Sequence, residues 1–243
     1  MKKTILITLI LVSMQTLLFS QETLVHDDVA GDTIIPERGQ NLKKFSFFYY
    51  NIEWFAGKTE GYGANIKYGK SFKTAFGFRY KQKLAKFYSV GYDINYNYAL
   101  YSIKQDSSKI FPNTTIHKRE NLIYNNIGLE LYNRFSFGKR GNYIKYFFDI
   151  GAYATYGISN YIKQIDEFST PNANNAKKTK IKNQNLTFIY PYNYGLKARF
   201  GYNKLAITGT YRLSNLFKDN YSGTIYYYPE LPRYSVGIEI GIF

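Results

Sequence analysis

The chain has 243 residues, a formal net charge of +15 and no cysteine, and 19% of its residues are aromatic. The absence of cysteine excludes disulfides, thiolate zinc sites, iron–sulfur clusters and a cysteine-linked lipid anchor. With only 2 His a multi-histidine metal site is not expected either, so we predict no metal and no cofactor.

The first twenty residues have the composition of a targeting segment. Lys2 and Lys3 precede an apolar run over residues 5–12, and Ser20 follows a second apolar stretch. This order predicts a secretory signal peptide over residues 1–20, with a membrane anchor helix as the alternative. Residues 21–43 are polar and predict a flexible periplasmic leader.

From residue 44 onward, apolar and polar residues alternate with a period of two. Near the end of the chain, for example, Val236, Ile238 and Ile240 alternate with Gly237 and Glu239. A sustained period of two indicates strands with one apolar and one polar face. The strands are expected over residues 44–56, 65–81, 87–104, 120–137, 143–163, 185–202, 205–217 and 233–243.

The connections between these strands alternate in length. Short turns at residues 82–86, 138–142 and 203–204 all fall at one end of the expected sheet. Longer loops at residues 57–64, 105–119, 164–184 and 218–232 fall at the other end. This asymmetry is typical of outer-membrane barrels. It predicts an all-β fold over residues 44–243, an eight-stranded antiparallel up-and-down transmembrane β-barrel with both termini in the periplasm.

A soluble lipocalin-type barrel is the alternative, because alternation cannot by itself distinguish the inside from the outside. Three features favour the membrane. The strands have at least the roughly 9–11 residues that a tilted strand needs to cross the hydrocarbon core of a membrane. The polar face combines small residues with charges of both signs, which fits a narrow interior, and the apolar face is rich in Tyr and Phe, which suit membrane interfaces.

The signal peptide, the eight alternating segments and the terminal run over residues 232–243 resemble small outer-membrane β-barrel proteins of the PorT-like type. They resemble the transmembrane domain of OmpA-like proteins more loosely. The final Phe243 is similar to the signal read by the barrel-assembly machinery, although here it shares parity with Glu239 on the polar face. The resemblance implies a bacterial outer-membrane location and insertion by that machinery.

The inward parity predicts a charged barrel interior. Its expected members are Glu53, Lys73, Arg79, Asp93, Glu130, Arg134, Asp149, Lys197, Arg199, Arg212 and Glu239. Lys81 and Lys145 share this parity at strand ends. Charges of both signs in a barrel just wide enough for side chains predict an interior ion-pair network. A narrow conducting path is the alternative.

Two further motifs lie in the expected loops. His117, with Ser107, Ser108, Asp106 and Glu120 nearby in sequence, could belong to a lipid acyl hydrolase, but no spacing singles out a nucleophile. A solvated loop histidine is the alternative, and no catalytic residue is predicted. The other motif is a basic run that is a candidate contact for lipid headgroups such as lipopolysaccharide, or else a solvated loop. That run comprises Lys177, Lys178, Lys180 and Lys182.

These patterns predict a non-enzymatic outer-membrane protein, a structural or accessory component of, for example, a secretion or outer-membrane assembly complex. A lipid-modifying enzyme and a small-solute pore are the alternatives. The expected partners are outer-membrane lipid and lipopolysaccharide, the barrel-assembly machinery, and other outer-membrane or periplasmic proteins. Nucleic acid is not an expected partner, since the basic residues are dispersed through the strands.

Overall fold

The computed structural model describes residues 39–141, 143–170, 175–218 and 228–243. The expected signal peptide and most of the expected leader lie outside these residues. The strands are β1 (Lys44–Ala56), β2 (Phe72–Lys83), β3 (Tyr88–Ile103), β4 (Arg119–Arg140), β5 (Tyr143–Glu167), β6 (Lys178–Gln184), β7 (Tyr192–Tyr202), β8 (Leu205–Arg212) and β9 (Tyr234–Ile242). The helical structure in the described part of the chain is one 3-10 turn, Tyr68–Lys70.

Eight of the strands form a closed antiparallel ring. Each of β1 to β5 pairs with the next strand along the chain, β5 pairs with β7, and β9 pairs with β1 to close the ring. Closure leaves no unpaired edge in this ring. The predicted all-β, up-and-down barrel architecture is therefore confirmed, and β6 is an additional ninth strand paired with the far end of β5.

The two faces of the ring have opposite chemistry. On β4, Leu129 and Leu131 are 49% and 62% exposed, whereas Glu130 between them is 1% exposed. On β9, Ile238 is exposed and the adjacent Glu239 is buried. Because neighbouring residues of a strand point to opposite faces, the apolar side chains lie outside the ring and the charges lie inside it.

Several predicted boundaries at the long-loop end are wrong. The expected loop over residues 164–184 instead contains the end of β5 and all of β6, which form a hairpin beyond the ring. The expected strands over residues 65–81 and 185–202 begin seven residues later, at Phe72 and Tyr192, and the strand expected over 205–217 ends at Arg212.

These errors share a cause, a hydrophobic cluster built from loops and strand ends, here called the loop-end core. Apolar residues that continued the alternating pattern pack into this core instead of facing outward. Its members are Phe55, Ala64, Ile66, Ala99, Tyr101, Ile103, Phe111, Leu122, Tyr124, Ile162, Phe188, Ile189, Leu216, Phe217 and Leu231. The long loops are thus packed structures and not simple connections.

Candidate functional site: the barrel interior

Ten charged side chains inside the ring form one connected system, here called the central ion network. Its carboxylates are Glu53, Asp93, Glu130, Asp149 and Glu239, and its cations are Lys73, Arg79, Arg134, Lys197 and Arg199. Five negative and five positive charges balance at neutral pH. Buried charge is tolerated when it is paired in this way, so the composition fits a filled and neutral interior.

Arg79 joins three strands at one end of this network. Its guanidinium group donates to Asp93 on β3, with Nη2–Oδ2 at 2.8 Å, and to both carboxylate oxygens of Glu239 on β9. The ring of Tyr49 lies 4.2 Å from Arg79 Cζ, in a cation–π arrangement. The Tyr49 hydroxyl donates to Asp93 at 2.7 Å, which fixes the carboxylate that Arg79 contacts.

Arg199 and Arg134 lie at the other end of the central ion network. Arg199 on β7 donates to Glu130 through Nη1 and Nη2, at 2.9 and 2.5 Å, and to Asp149 through Nε at 3.1 Å. Arg134 donates to the same Asp149, and its guanidinium stacks 4.0 Å from the ring centroid of Phe147. Each arginine thus uses its planar fork on carboxylates of other strands, and Arg199 reaches across β5 to Glu130 on β4.

Glu53 is the carboxylate of the network that has the most side-chain hydrogen-bond donors around it. Lys73 Nζ lies 2.8 Å from one of its oxygens. Hydroxyl groups of Thr208, Thr210 and Ser235 donate to it at 3.2, 3.0 and 2.5 Å. A carboxylate with this many donors remains ionised in the interior, so Glu53 serves as a structural anion.

Lys197 holds a different position from the other cations. Its ammonium nitrogen lies 3.8 Å from Glu130 and Glu239 and 4.0 Å from Glu53, beyond direct hydrogen-bonding distance. It borders a polar cavity of about 80 Å³. The cavity is lined by side chains that include Asn95, Asn97, Asn126, Asn193, Tyr153 and Thr155. A polar cavity of this size has room for ordered water.

Arg212 lies apart from the central ion network, although the sequence placed it with the other interior charges. Its Nη1 donates to Glu230 at 2.9 Å, and its Nη2 donates to the carbonyl of Leu231. Glu230 also accepts from the backbone amides of Leu216 and Phe217. Arg212 therefore anchors the last long loop above the cavity.

The two strand-end lysines differ from each other. Lys81 is buried, and its ammonium group donates to the backbone carbonyls of Gln40 and Leu42. Lys145 is exposed, so its expected inward position is wrong, and Ile144 is buried in its place. The alternation is interrupted here, because Lys145 and Tyr146 are both exposed and Lys145 has no paired residue on β4.

His117 is held by a carboxylate that sequence proximity did not identify. Its Nδ1 lies 2.8 Å from Asp166 Oδ2 on β5, and Asp106 instead accepts from Ser108 at 2.7 Å. Glu120 is buried with Lys109 at 2.6 Å. Within the described residues, no serine hydroxyl is hydrogen-bonded to His117, whose side-chain partner is Asp166.

The four lysines of the basic run are exposed on or beside β6, in the hairpin beyond the ring. Lys178 lies 2.8 Å from Glu167, and Lys182 Nζ lies 4.1 Å from the ring centroid of Tyr161. Phe243 lies at the opposite end of the barrel. Its ring packs 5.3 and 5.1 Å from the centroids of Phe45 and Phe47, on the inner side of the ring.

Sequence reasoning missed three groups that complete the interior. These are the rings of Tyr49 and Tyr132, the buried Lys109–Glu120 pair, and Glu230. Tyr49 shares the odd parity of Glu53, but the apolar run over residues 47–50 concealed that parity. The positions of Lys109 and Glu230 depend on loop packing, and no local pattern predicts them.

No protein-family model matches this chain, and no curated protein sequence matches it. In the part of the chain that the structure describes, no helix is long and apolar enough to cross a membrane. No group of three or more His, Cys, Asp or Glu side chains suited to a metal ion occurs among the described residues. The fold and its interior define the chain as an antiparallel β-barrel that carries a balanced, buried ion network.

Proposed function

We propose that this chain is an integral β-barrel protein of a bacterial outer membrane with a non-enzymatic, structural or accessory role. The observation that carries the proposal is the inverted polarity of the ring, with paired charges inside and large apolar side chains outside. Examples on three strands are Leu131, Ile207 and Ile238, at 62%, 62% and 49% exposed. A soluble monomer rarely exposes a continuous apolar surface of more than a few hundred Å².

The pairing of the strands also supports a membrane location. A closed ring satisfies the backbone hydrogen bonds of its own strands, which lipid cannot do. Strands β7 and β9 have 11 and 9 residues, close to the length that a tilted strand needs to cross hydrocarbon. Exposed Tyr and Phe near the strand ends, such as Tyr146, Tyr202 and Tyr234, suit the two interfaces.

The accessory role is supported by the content of the interior and by the loops. Ten paired charges occupy the centre of the ring, which favours a plug over a wide pore. The loop-end core packs the long loops into a defined surface beside the exposed β5–β6 hairpin. Such a surface suits contact with lipopolysaccharide or with other components of a secretion or assembly complex.

Membrane fractionation tests the location. The full chain, expressed in a Gram-negative host, is expected in the outer-membrane fraction, resistant to extraction by carbonate and released by detergent. Recovery of folded protein in the soluble periplasmic fraction would contradict the proposal. Purification in mild detergent after chemical crosslinking would then identify the proteins that accompany it, and that result tests the accessory role.

The enzyme alternative has its own test at His117. The purified barrel is expected to release no acyl chain from phospholipid or lipopolysaccharide. Acyl release that is lost in His117→Ala, with folding retained, would replace the accessory role with a lipid hydrolase. Folding of the variant is checked separately, because His117 contacts Asp166 and its loss could loosen the loop.

A further inference from the structure

In the part of the chain that the structure describes, the segments at the short-turn end of the barrel have basic side chains but no acidic side chain. Residues 39–46, 81–89, 136–148, 201–206 and 240–243 contain no Asp or Glu. We use the name basic collar for the exposed lysines at this end, which are Lys43, Lys44, Lys86, Lys145 and Lys204. They come from the start of β1 and the residue before it, from β5 and from the turns after β2 and β7, so they are distributed around the ring.

Large apolar side chains accompany these lysines in each short turn. Leu84 and Phe87, each 59% exposed, flank Lys86. Exposed Tyr143 and Tyr146 flank Lys145 in the same way, and Tyr202 and Leu205 flank Lys204. Lysine next to an outward-facing aromatic or aliphatic residue is the arrangement found where a protein meets a lipid headgroup region, since the stem stays in apolar surroundings and the charge reaches the phosphates.

The long-loop end differs, because it contains carboxylates and several of its cations pair with them. Lys104 lies 3.1 Å from Asp106, and Arg233 lies 2.8 Å from Glu60. Lys118 and Lys178 both contact Glu167. Exposed lysines without a carboxylate partner also occur on β6, where exposed Ile181 lies between Lys180 and Lys182. What distinguishes the short-turn end is that its described segments contain basic side chains beside apolar ones and no carboxylate side chain.

We infer that the basic collar binds the phosphate groups of anionic phospholipids in the leaflet at the short-turn end. This inference rests on the proposed membrane location and names a lipid class for one end of the barrel. An aqueous polyanion or an acidic protein is a weaker match, because neither accounts for the outward-facing Leu84, Phe87 and Tyr202 beside the lysines. Attraction between a lysine near the surface and an anionic leaflet amounts to about fivefold in partition per residue.

Reconstitution with spin-labelled lipids tests the inference. The full barrel is inserted into phosphatidylcholine vesicles that contain trace spin-labelled phosphatidylglycerol or spin-labelled phosphatidylcholine, and the motionally restricted fraction of each is measured. The wild type is expected to favour phosphatidylglycerol, and the preference should fall as salt rises, because exposed charges are screened. The triple variant Lys44→Gln, Lys86→Gln, Lys145→Gln should lower the preference at least about fivefold.

The matched control changes three exposed lysines at the other end, Lys177→Gln, Lys180→Gln and Lys182→Gln. It should retain the preference, because these lysines lie on or beside β6, in the hairpin beyond the ring and away from the leaflet that the basic collar meets. Equal restriction of both lipids by the wild type would overturn the inference, as would an equal loss in both variants. If the proposed membrane location were wrong, the wild type would instead restrict neither lipid. The salt titration needs only the wild type, and a preference that salt leaves unchanged would overturn the inference even if a variant fails to fold.

Discussion

Arg134 and Asp149 lie directly opposite each other on β4 and β5 and form a two-point ion pair inside the ring. The Nε–Oδ1 distance is 2.7 Å and the Nη2–Oδ2 distance is 2.8 Å. Strand register thus sets this contact directly, because a slip of either strand by one residue would turn that strand's member of the pair to the outer face. The interior charges therefore help to specify the register of the ring as well as fill it.

Truncation of this pair tests its contribution to stability. Arg134→Ala is expected to lower the free energy of unfolding by about 3–5 kcal/mol, because five buried carboxylates then face four cations. The measurement is denaturant unfolding of the barrel in detergent micelles or vesicles. Exposed Lys145→Ala is the matched control and should stay within about 0.5 kcal/mol of the wild type. A loss below about 1 kcal/mol for Arg134→Ala would show that the network is not a major stabilising element.

Conductance tests whether the interior is filled. The wild type is expected to show no steady channels in planar bilayers, because the central ion network crosses the lumen. Arg199→Ala removes contacts to both Glu130 and Asp149 and should give brief openings that the wild type lacks. Large and steady wild-type channels would favour the small-solute pore over the filled lumen.

A charge placed on the outer wall should be costly if that wall faces lipid. Leu129→Lys is expected to destabilise the barrel by about 2–4 kcal/mol, the range for lysine or arginine at the middle of the bilayer. A spin label at Leu129 should be reached by lipid-soluble quenchers and not by water-soluble ones. The reverse quenching pattern would mean that the outer face is exposed to water and that the barrel is soluble.

A substitution at a glycine that faces the barrel interior should act differently from one on the outer wall. At Gly195 a side chain would meet the backbone oxygen of Tyr211 and the ring of Tyr153. Gly195→Ala should therefore destabilise the barrel by crowding, and its effect should not depend on bilayer thickness. Dependence on thickness would indicate that residue 195 contacts lipid.

Protease accessibility on whole cells tests the orientation of the barrel. Trypsin added outside is expected to cleave the exposed β5–β6 hairpin at Lys178, Lys180 or Lys182. An epitope tag inserted over residues 138–142 should stay protected until the outer membrane is permeabilised. Labelling of that tag in intact cells, with a protected hairpin, would reverse the assignment of the two ends.

Acid should loosen the loop that Glu60 anchors. Hydrogen bonds from Arg233 hold the pKa of Glu60 below its usual 4.5, while partial burial opposes this shift. The Glu60–Arg233 pair therefore stabilises the loop fully when the pH is above the usual pKa of Glu60. This contribution is lost as the pH falls through the lowered pKa. The protection factor of the Glu60 amide, which donates to the Glu230 carbonyl, should fall in that range. In Glu60→Gln this fall should be absent, and its persistence would assign the effect to another group.

The alternating pattern determined most of the strands and which charged residues face the interior. β1 begins and ends where the pattern places it, at Lys44 and Ala56. The pattern failed at residues 185–191 and 213–217, where Phe188, Leu216 and Phe217 point into the loop-end core. Local periodicity cannot distinguish an apolar side chain that faces lipid from one that faces a packed loop, because both satisfy the same burial requirement.

The particular contacts inside the ring required the tertiary structure. Arg79 and Glu239 are 160 positions apart, and they meet because β9 pairs with β1 to close the ring. His117 likewise meets Asp166, 49 positions away, because the end of β5 extends beyond the ring beside the second long loop. Sequence alternation therefore sets the face on which a charge lies. Ring closure and loop packing bring distant strands together and so set its partner.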